Sequence, residues 1–194
     1  MNNCQNIIST SKSFLNTYFL TDNTLIPEVI NEIKDKLLLN PPIIVYGKPA
    51  IQHRSIGFFS NESIGYYYSN NLAKSQLLTE NLKKILDIVN CEFKSDFNGI
   101  LINKYLNGTD YIGAHSDDEK NLSTSGVIAI SYGATRNFRI RDKKTKKIIE
   151  NIPTYENQII QMGGDFQKEF THEIPIQKRI LESRYSFTFR KHLV

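Results

Sequence analysis

The 194 residues suffice for one domain with a full hydrophobic core, and 40% apolar against 23% charged residues is the balance of a globular chain. No run of about 18 apolar residues occurs, which excludes an apolar membrane-spanning helix, and the polar first sixteen residues lack the basic and apolar regions of a secretory signal. The net charge of +4 permits a nucleic-acid partner without requiring one; Cys4 and Cys91 fit no zinc motif and are expected as reduced thiols of an intracellular protein, in cytoplasm or nucleus.

Residues 1–12 are expected as a flexible terminus and 13–20 as a short strand. Thr24 is placed to cap a helix over 26–39, with Pro27 in the first turn and Asn40-Pro41-Pro42 as the stop. From 43 to 69, β-branched and aromatic residues broken by Gly47, Gly57, Asn61 and Gly65 predict several short strands. A second helix is expected over 71–89, with Leu72, Leu78, Leu82, Ile85 and Val89 along one side. Beyond Asn98-Gly99 the pattern is β throughout, at 100–106, 111–115, 126–132, 136–141, 147–151, 158–162, 171–174 and 184–190, with the charged run 141–147 as a hairpin tip. Two helices ahead of seven or eight strands predict an α+β chain with the helices packed on one sheet of a β-sandwich or barrel. A jelly roll suits this, because its facing sheets leave one mouth open for a ligand.

Chemistry concentrates in those strands. His115 and Asp117, two residues apart, project to the same side if the backbone is extended. A distant histidine such as His172 can complete a two-His-one-carboxylate set, which suits Fe(II) and leaves positions open for oxygen and a co-substrate. His53 and His192 read as structural or surface histidines. Near the C-terminus Arg184, Ser186, Thr188 and Arg190 alternate with Phe187 and Phe189, so one face of that strand is apolar and the other cationic. Such a row is costly to bury unless it meets anions, and arginine is the side chain best fitted to grip a carboxylate.

With Asn103-Lys104-Tyr105, His115-Ser116-Asp117-Asp118-Glu119, Gly163-Gly164-Asp165 to His172, and Arg184 to Arg190 in this order, the chain resembles the AlkB-type Fe(II)/2-oxoglutarate dioxygenases, from about Phe14 to its end. The resemblance implies a double-stranded β-helix (jelly roll) as a single dioxygenase domain over 1–194, with a substrate lid at 43–70 and the jelly-roll core at 100–190. It implies His115, Asp117 and His172 as iron ligands. Asn103, Tyr105 and Arg184 would hold 2-oxoglutarate, with hydroxyls from Ser186 and Thr188. Arg190 would sit by the carboxylate near the metal. Ser186 stands where the family has asparagine, and its hydroxyl reaches less far than an amide.

Within the family the closest resemblance is to the branch that repairs alkylated duplex DNA. That likeness implies a lid in which Tyr66 and Tyr68 stack on a flipped base, flanked by Arg54 and Ser69. Glu119 would contact the base edge, and Asp118 matches the carboxylate next to the iron ligand. Val45-Tyr46-Gly47 would form a hairpin that wedges Tyr46 into the duplex, and Lys178 and Arg179 would grip the opposite strand. The implied reaction uses Fe(II), 2-oxoglutarate and O2 to demethylate bases such as 1-methyladenine and 3-methylcytosine in DNA, by a monomer. Demethylation of RNA or single strands, and hydroxylation of a substrate that is not nucleic acid, are the alternatives.

Overall fold

Strand 184–190 buries aromatic rings on one face and polar groups on the other, so it needs a different partner layer on each side. The fold supplies both. The computed structural model describes residues 2–45, 47–68, 71–118 and 126–193. The N-terminal elements are β1 (Asn2–Ser9), β2 (Ser13–Phe19), α1 (Leu25–Ile33), β3 (Pro42–Val45), β4 (Lys48–Ile51), β5 (Ser55–Phe59), β6 (Gly65–Tyr68), β7 (Asn71–Lys74) and α2 (Glu80–Phe93). There follow β8 (Gly99–Tyr105), β9 (Ile112–His115), β10 (Val127–Gly133), β11 (Arg136–Asp142), β12 (Ile148–Thr154), β13 (Gln158–Gly164), α3 (Phe166–Glu169), β14 (Phe170–Ile174) and β15 (Arg184–Arg190).

Seven strands form one sheet in the order β1-β2-β13-β10-β15-β8-β5, and four form a second in the order β12-β11-β14-β9. Both are antiparallel throughout. On one face of the larger sheet, Ile100, Ile102, Phe187 and Phe189 pack with Ile26, Val29 and Ile33 of α1 and Leu82, Ile85 and Val89 of α2. A second apolar cluster joins Leu15, Val127, Ile160 and Met162 of the larger sheet to Phe138, Ile140 and Ile152 of the smaller. This is the expected jelly roll with helices on one sheet, and the polar face of β15 lies in the space the sandwich encloses. Gly164 turns the chain out of β13 at φ +64, where a Cβ would collide with the Lys12 carbonyl, so only glycine suits the site. The Asp142 carboxylate accepts from the backbone of Lys144 and Thr145, which closes the predicted hairpin tip.

Four expectations need correction. The terminus expected as flexible contributes β1, which pairs with β2 and buries Ile8. The helix expected over 26–39 ends at Ile33, and Thr24 makes no side-chain cap because its own backbone is already helical. Asn71–Lys74, expected to open the second helix, pairs instead with β6 as β7. The helix starts at Glu80, after Thr79 accepts a hydrogen bond from the Leu82 amide at 3.2 Å. Finally, 43–70 is not one lid. β5 belongs to the large sheet through β8, and only the hairpins β3-β4 and β6-β7 stand apart from it.

Phe187→Ala is expected to lower stability by about 3–5 kcal/mol, the usual cost of emptying a packed phenylalanine site. Ser186→Ala, one residue away on the other face, is expected to stay within about 1 kcal/mol. Urea unfolding of both variants checks the difference.

Candidate metal and organic-acid site

Strand pairing brings the two distant histidines together. His172 of β14 lies directly opposite His115 of β9 in the ladder, and their ring centroids are 4.4 Å apart. β9 ends at His115, so Asp117 is delivered by a loop rather than by a continuing strand. Two bonds pin that loop: the Ser116 hydroxyl donates to the Phe170 carbonyl at 2.9 Å, and the Asp117 amide donates to Gln167 Oε1 at 2.9 Å. As a result His115 Nε2 is 4.0 Å from Asp117 Oδ1, and His172 Nε2 is 3.7 Å from Asp117 Oδ2.

One ligand atom from each of the three residues lies within 4.8 Å of the others. Two imidazoles and a carboxylate at that spacing fit a single divalent ion bound about 2 Å from each, and the donor set suits Fe(II). His115 Nδ1 lies 2.9 Å from the Gly113 carbonyl, an arrangement that reserves Nε2 for a metal. Electrostatics favours the ligating forms. Burial pushes His172 down to about 3, with neighbouring His115 adding to the effect, and burial also lowers His115 against the pull of Asp117. Burial alone would raise Asp117, but Arg190 and the two imidazoles outweigh it and hold the carboxyl at about 2. Neutral imidazoles and an ionised carboxylate are what metal binding requires.

The trio forms part of the wall of a cavity that Arg54, Arg184 and Arg190 also line. Among the described lining residues, three guanidinium groups therefore face one carboxylate. Arg190 donates from Nη2 to Asp117 Oδ1 at 3.1 Å, which ties the C-terminal strand to the metal-ligand loop. Arg184, 2% exposed, donates to the hydroxyls of Thr154 at 3.1 Å and Ser131 at 2.8 Å, and its Nη1 is buried with no partner among the described residues. Burial lowers it to about 10, opposed by the adjacent Tyr105. No carboxylate of a described residue lies within ion-pair distance of it. An anion entering the cavity would supply what this buried cation lacks. Tyr105 and Asn103 stand opposite Arg184 and Ser186 on β8, and Ser186 and Thr188 complete the polar floor.

The remaining residues predicted for the site divide into three groups. Tyr66 lines the cavity at 2% exposure, its ring 6.2 Å from Tyr68 and nearly parallel to it; Tyr68 in turn meets His115 edge-on at 6.0 Å. Arg54, expected to contact substrate, donates from Nε to Asn103 Oδ1 at 2.7 Å and lies 5.0 Å over the Tyr68 ring. Asp118 is exposed and pairs with Lys143 at 3.2 Å. Val45 and Gly47 flank the β3-β4 turn and Lys178 and Arg179 occupy an exposed turn; none of the four lines the cavity. Tyr46, Ser69 and Glu119 lie outside the described residues.

Sequence reasoning passed over Ser131, Thr154 and Gln167, which orient Arg184 and Asp117. Ala129 and Ser131 alternate with Ile128 and Ile130, a period-two signal that marks Ser131 as inward. Thr154 and Gln167 carry no comparable signal, because they reach the site from other strands and loops.

Comparison with known proteins agrees with this geometry. A family model described as the 2OG-Fe(II) oxygenase superfamily matches residues 14–190. The human DNA oxidative demethylase ALKBH2 is 29% identical over 158 residues, covering 77% of this chain and 60% of that protein. Its mouse counterpart is 30% identical, covering 77% and 66%. The human alpha-ketoglutarate-dependent dioxygenase alkB homolog 3 is 35% identical over 103 residues, 48% of this chain and 36% of that protein. The chain thus spans about 60% of the length of the human ALKBH2 relative. A solved structure of OsALKBH1 superposes with a TM-score of 0.64 at 15% identity, covering 97% of this chain and 100% of that one.

His172→Ala is expected to weaken Fe(II) binding by more than about 100-fold, beyond the loss typical of residues that only orient a ligand. Lys143→Ala, which frees only the exposed Asp118, should leave the affinity unchanged. Anaerobic titration of both variants, with circular dichroism to verify folding, reads the effect.

Proposed function

The chain belongs to the 2OG-Fe(II) oxygenase superfamily, and on that premise we propose that it removes alkyl groups from nucleic-acid bases by oxidative demethylation. The observation that carries this reading is that Tyr68 stands edge-on to His115, and His115 shares a cavity with Arg184, whose Nη1 has no partner among the described residues. Iron, when bound, would supply oxygen activation at the expense of 2-oxoglutarate, which leaves as succinate and carbon dioxide. His115, Asp117 and His172 would hold the iron on one side and leave its cavity side open. Arg184 would take the distal carboxylate of 2-oxoglutarate. Asn103 would offer its amide N–H groups, since Arg54 already occupies its oxygen. Arg190 would keep Asp117 ionised and oriented.

A base drawn out of a helix needs a flat surface to replace its stack, and the near-parallel Tyr66 and Tyr68 rings offer one beside the metal ligands. Hydroxylation of the N-methyl carbon of 1-methyladenine or 3-methylcytosine would give a hemiaminal, which breaks down to formaldehyde and the repaired base. DNA is the favoured substrate, supported by relatives named as DNA oxidative demethylases. Duplex substrate is supported by the β3-β4 hairpin, which leaves Ile44, Val45 and Ile51 exposed for insertion between bases. Both cysteines are unpaired and exposed, which suits a reducing compartment such as cytoplasm or nucleus. No helix among the described residues is long and apolar enough to cross a membrane.

Mass spectrometry of singly methylated DNA and RNA oligonucleotides, duplex and single-stranded, tests the proposal. The expected result is loss of one methyl mass with release of formaldehyde, fastest on duplex DNA. Turnover of 2-oxoglutarate with every oligonucleotide unchanged would overturn it, and faster loss from RNA would move the substrate to RNA. Tyr68→Ala is expected to raise the oligonucleotide KM about tenfold or more, the range that loss of one base–ring stack commands. Its KM for 2-oxoglutarate should stay unchanged.

A further inference from the structure

We propose that His192 is a positioning residue that clamps the β6 strand in place and thereby sets where Tyr66 and Tyr68 stand against the metal ligands. The need for a clamp follows from topology. β6 and β7 pair only with each other, so no ladder holds the tyrosine strand to β8 or β15. Main-chain bonds of 2.9 Å tie Gln76, just past β7, to Phe58 and Ser60, but β6 itself is held from the side by side chains: Arg190 lies 5.1 Å over the Tyr66 ring, and others converge on the segment after it.

His192 is 3% exposed, and Asn98 fixes its backbone on both sides: the His192 amide donates to Asn98 Oδ1 at 2.8 Å, and Asn98 Nδ2 donates to the His192 carbonyl at 2.9 Å. The same Asn98 binds the turn that leads into β6, with Nδ2 donating to Glu62 Oε2 at 2.8 Å and its carbonyl accepting from the Ser60 hydroxyl at 2.6 Å. The imidazole then reaches the turn directly, Nδ1 lying 2.9 Å from Ser63 Oγ. That hydroxyl also accepts from the Gly65 amide at 3.3 Å. Gly65 sits at φ +153 with the Ala73 carbonyl where a Cβ would lie, so the chain enters Tyr66 along a path only glycine allows.

The ring has a second contact. It stacks on Phe58 at 4.8 Å and 25°; Phe58 stacks on Tyr66 at 6.3 Å and 26°, and Tyr66 on Tyr68 at 6.2 Å and 13°. The near-parallel pile ends at Tyr68, which meets His115 edge-on. His192 is therefore its outer stop, and His115 the inner one. Burial, with Arg190 nearby, lowers the imidazole to about 4, so at neutral pH it is an uncharged ring suited to stacking. Its Nε2 is buried without a partner among the described residues, a cost that an apolar ring of similar size would avoid. The bond to Ser63 is what the imidazole gives in return.

What the tyrosines hold rests on the dealkylase reading; the clamp itself does not, and the test separates the two. Ser63→Ala removes the hydroxyl alone, and His192→Phe keeps the ring while losing its hydrogen bond. Nitration by tetranitromethane, followed residue by residue by mass spectrometry in the folded 194-residue chain, needs no substrate. Tyr66 is expected to be protected in the original sequence and to react several-fold faster in both variants. Equal protection in all three proteins would overturn the proposal. In steady-state assays on methylated duplex DNA, both variants should raise the oligonucleotide KM about tenfold, as for a displaced stacking ring. They should leave the KM for 2-oxoglutarate unchanged and form more than one succinate per formaldehyde. A fall in kcat alone, with both KM values and the one-to-one ratio kept, would also overturn the proposal. If the original sequence demethylates no oligonucleotide, the dealkylase reading fails and nitration still decides the clamp.

Discussion

Excess buried positive charge is the constraint on which the rest of this structure depends. Arg54, Arg184 and Arg190 face a cavity in which Asp117 is the only carboxylate among the described lining residues, and Arg184 Nη1 has no partner among the described residues. Buried guanidinium groups are tolerated where they are hydrogen-bonded and expect an anion. Much of the architecture serves to hold them. β15 runs through the large sheet with Phe187 and Phe189 pressed on the helices, so its arginines have nowhere to go except between the sheets. Ser131 and Thr154, from the two different sheets, then fix the Arg184 fork. Arg190 and Asp117 neutralise each other at the point where a divalent ion would bind, which would leave the other cations to face a dianionic co-substrate.

The same economy of parts shapes the substrate side. β8 serves twice, holding Tyr105 and Asn103 beside Arg184 and pairing on its other edge with β5, from which Phe58 supports the ring pile. Arg54 joins the halves, with one nitrogen on Asn103 and its plane over Tyr68. The groups assigned to the co-substrate and those assigned to the base are therefore in direct contact. A shift of one is felt by the other.

How much of this was legible in the sequence depended on whether the signal was local. The alternation from Arg184 to Arg190 predicted both faces of β15 because the period of two is a property of the strand itself. The pairing of His115 with Asp117 was visible for the wrong reason: the strand stops at His115, and a loop pinned by Gln167 delivers the carboxylate. Asn71–Lys74 misleads because Leu72 adds to the leucine-rich run that leads into Leu82 and Ile85, while a tertiary partner in β6 decides its conformation. Ser131 and Thr154 act through contacts between strands distant in sequence, and a single sequence carries no record of such contacts. In the sequence His192 carries only the signal of a structural or surface histidine, and the pile of rings shows how it bears on the site.

Visible absorption of the anaerobic protein with Fe(II), recorded before and after addition of 2-oxoglutarate, tests the central claim most directly. If the trio holds iron and Arg184 completes the anion site, a metal-to-ligand charge-transfer band appears on addition. In Arg184→Met it should appear only at far higher 2-oxoglutarate concentration. A protein that binds Fe(II) without developing the band, or a variant that develops it at the same concentration, would contradict the account.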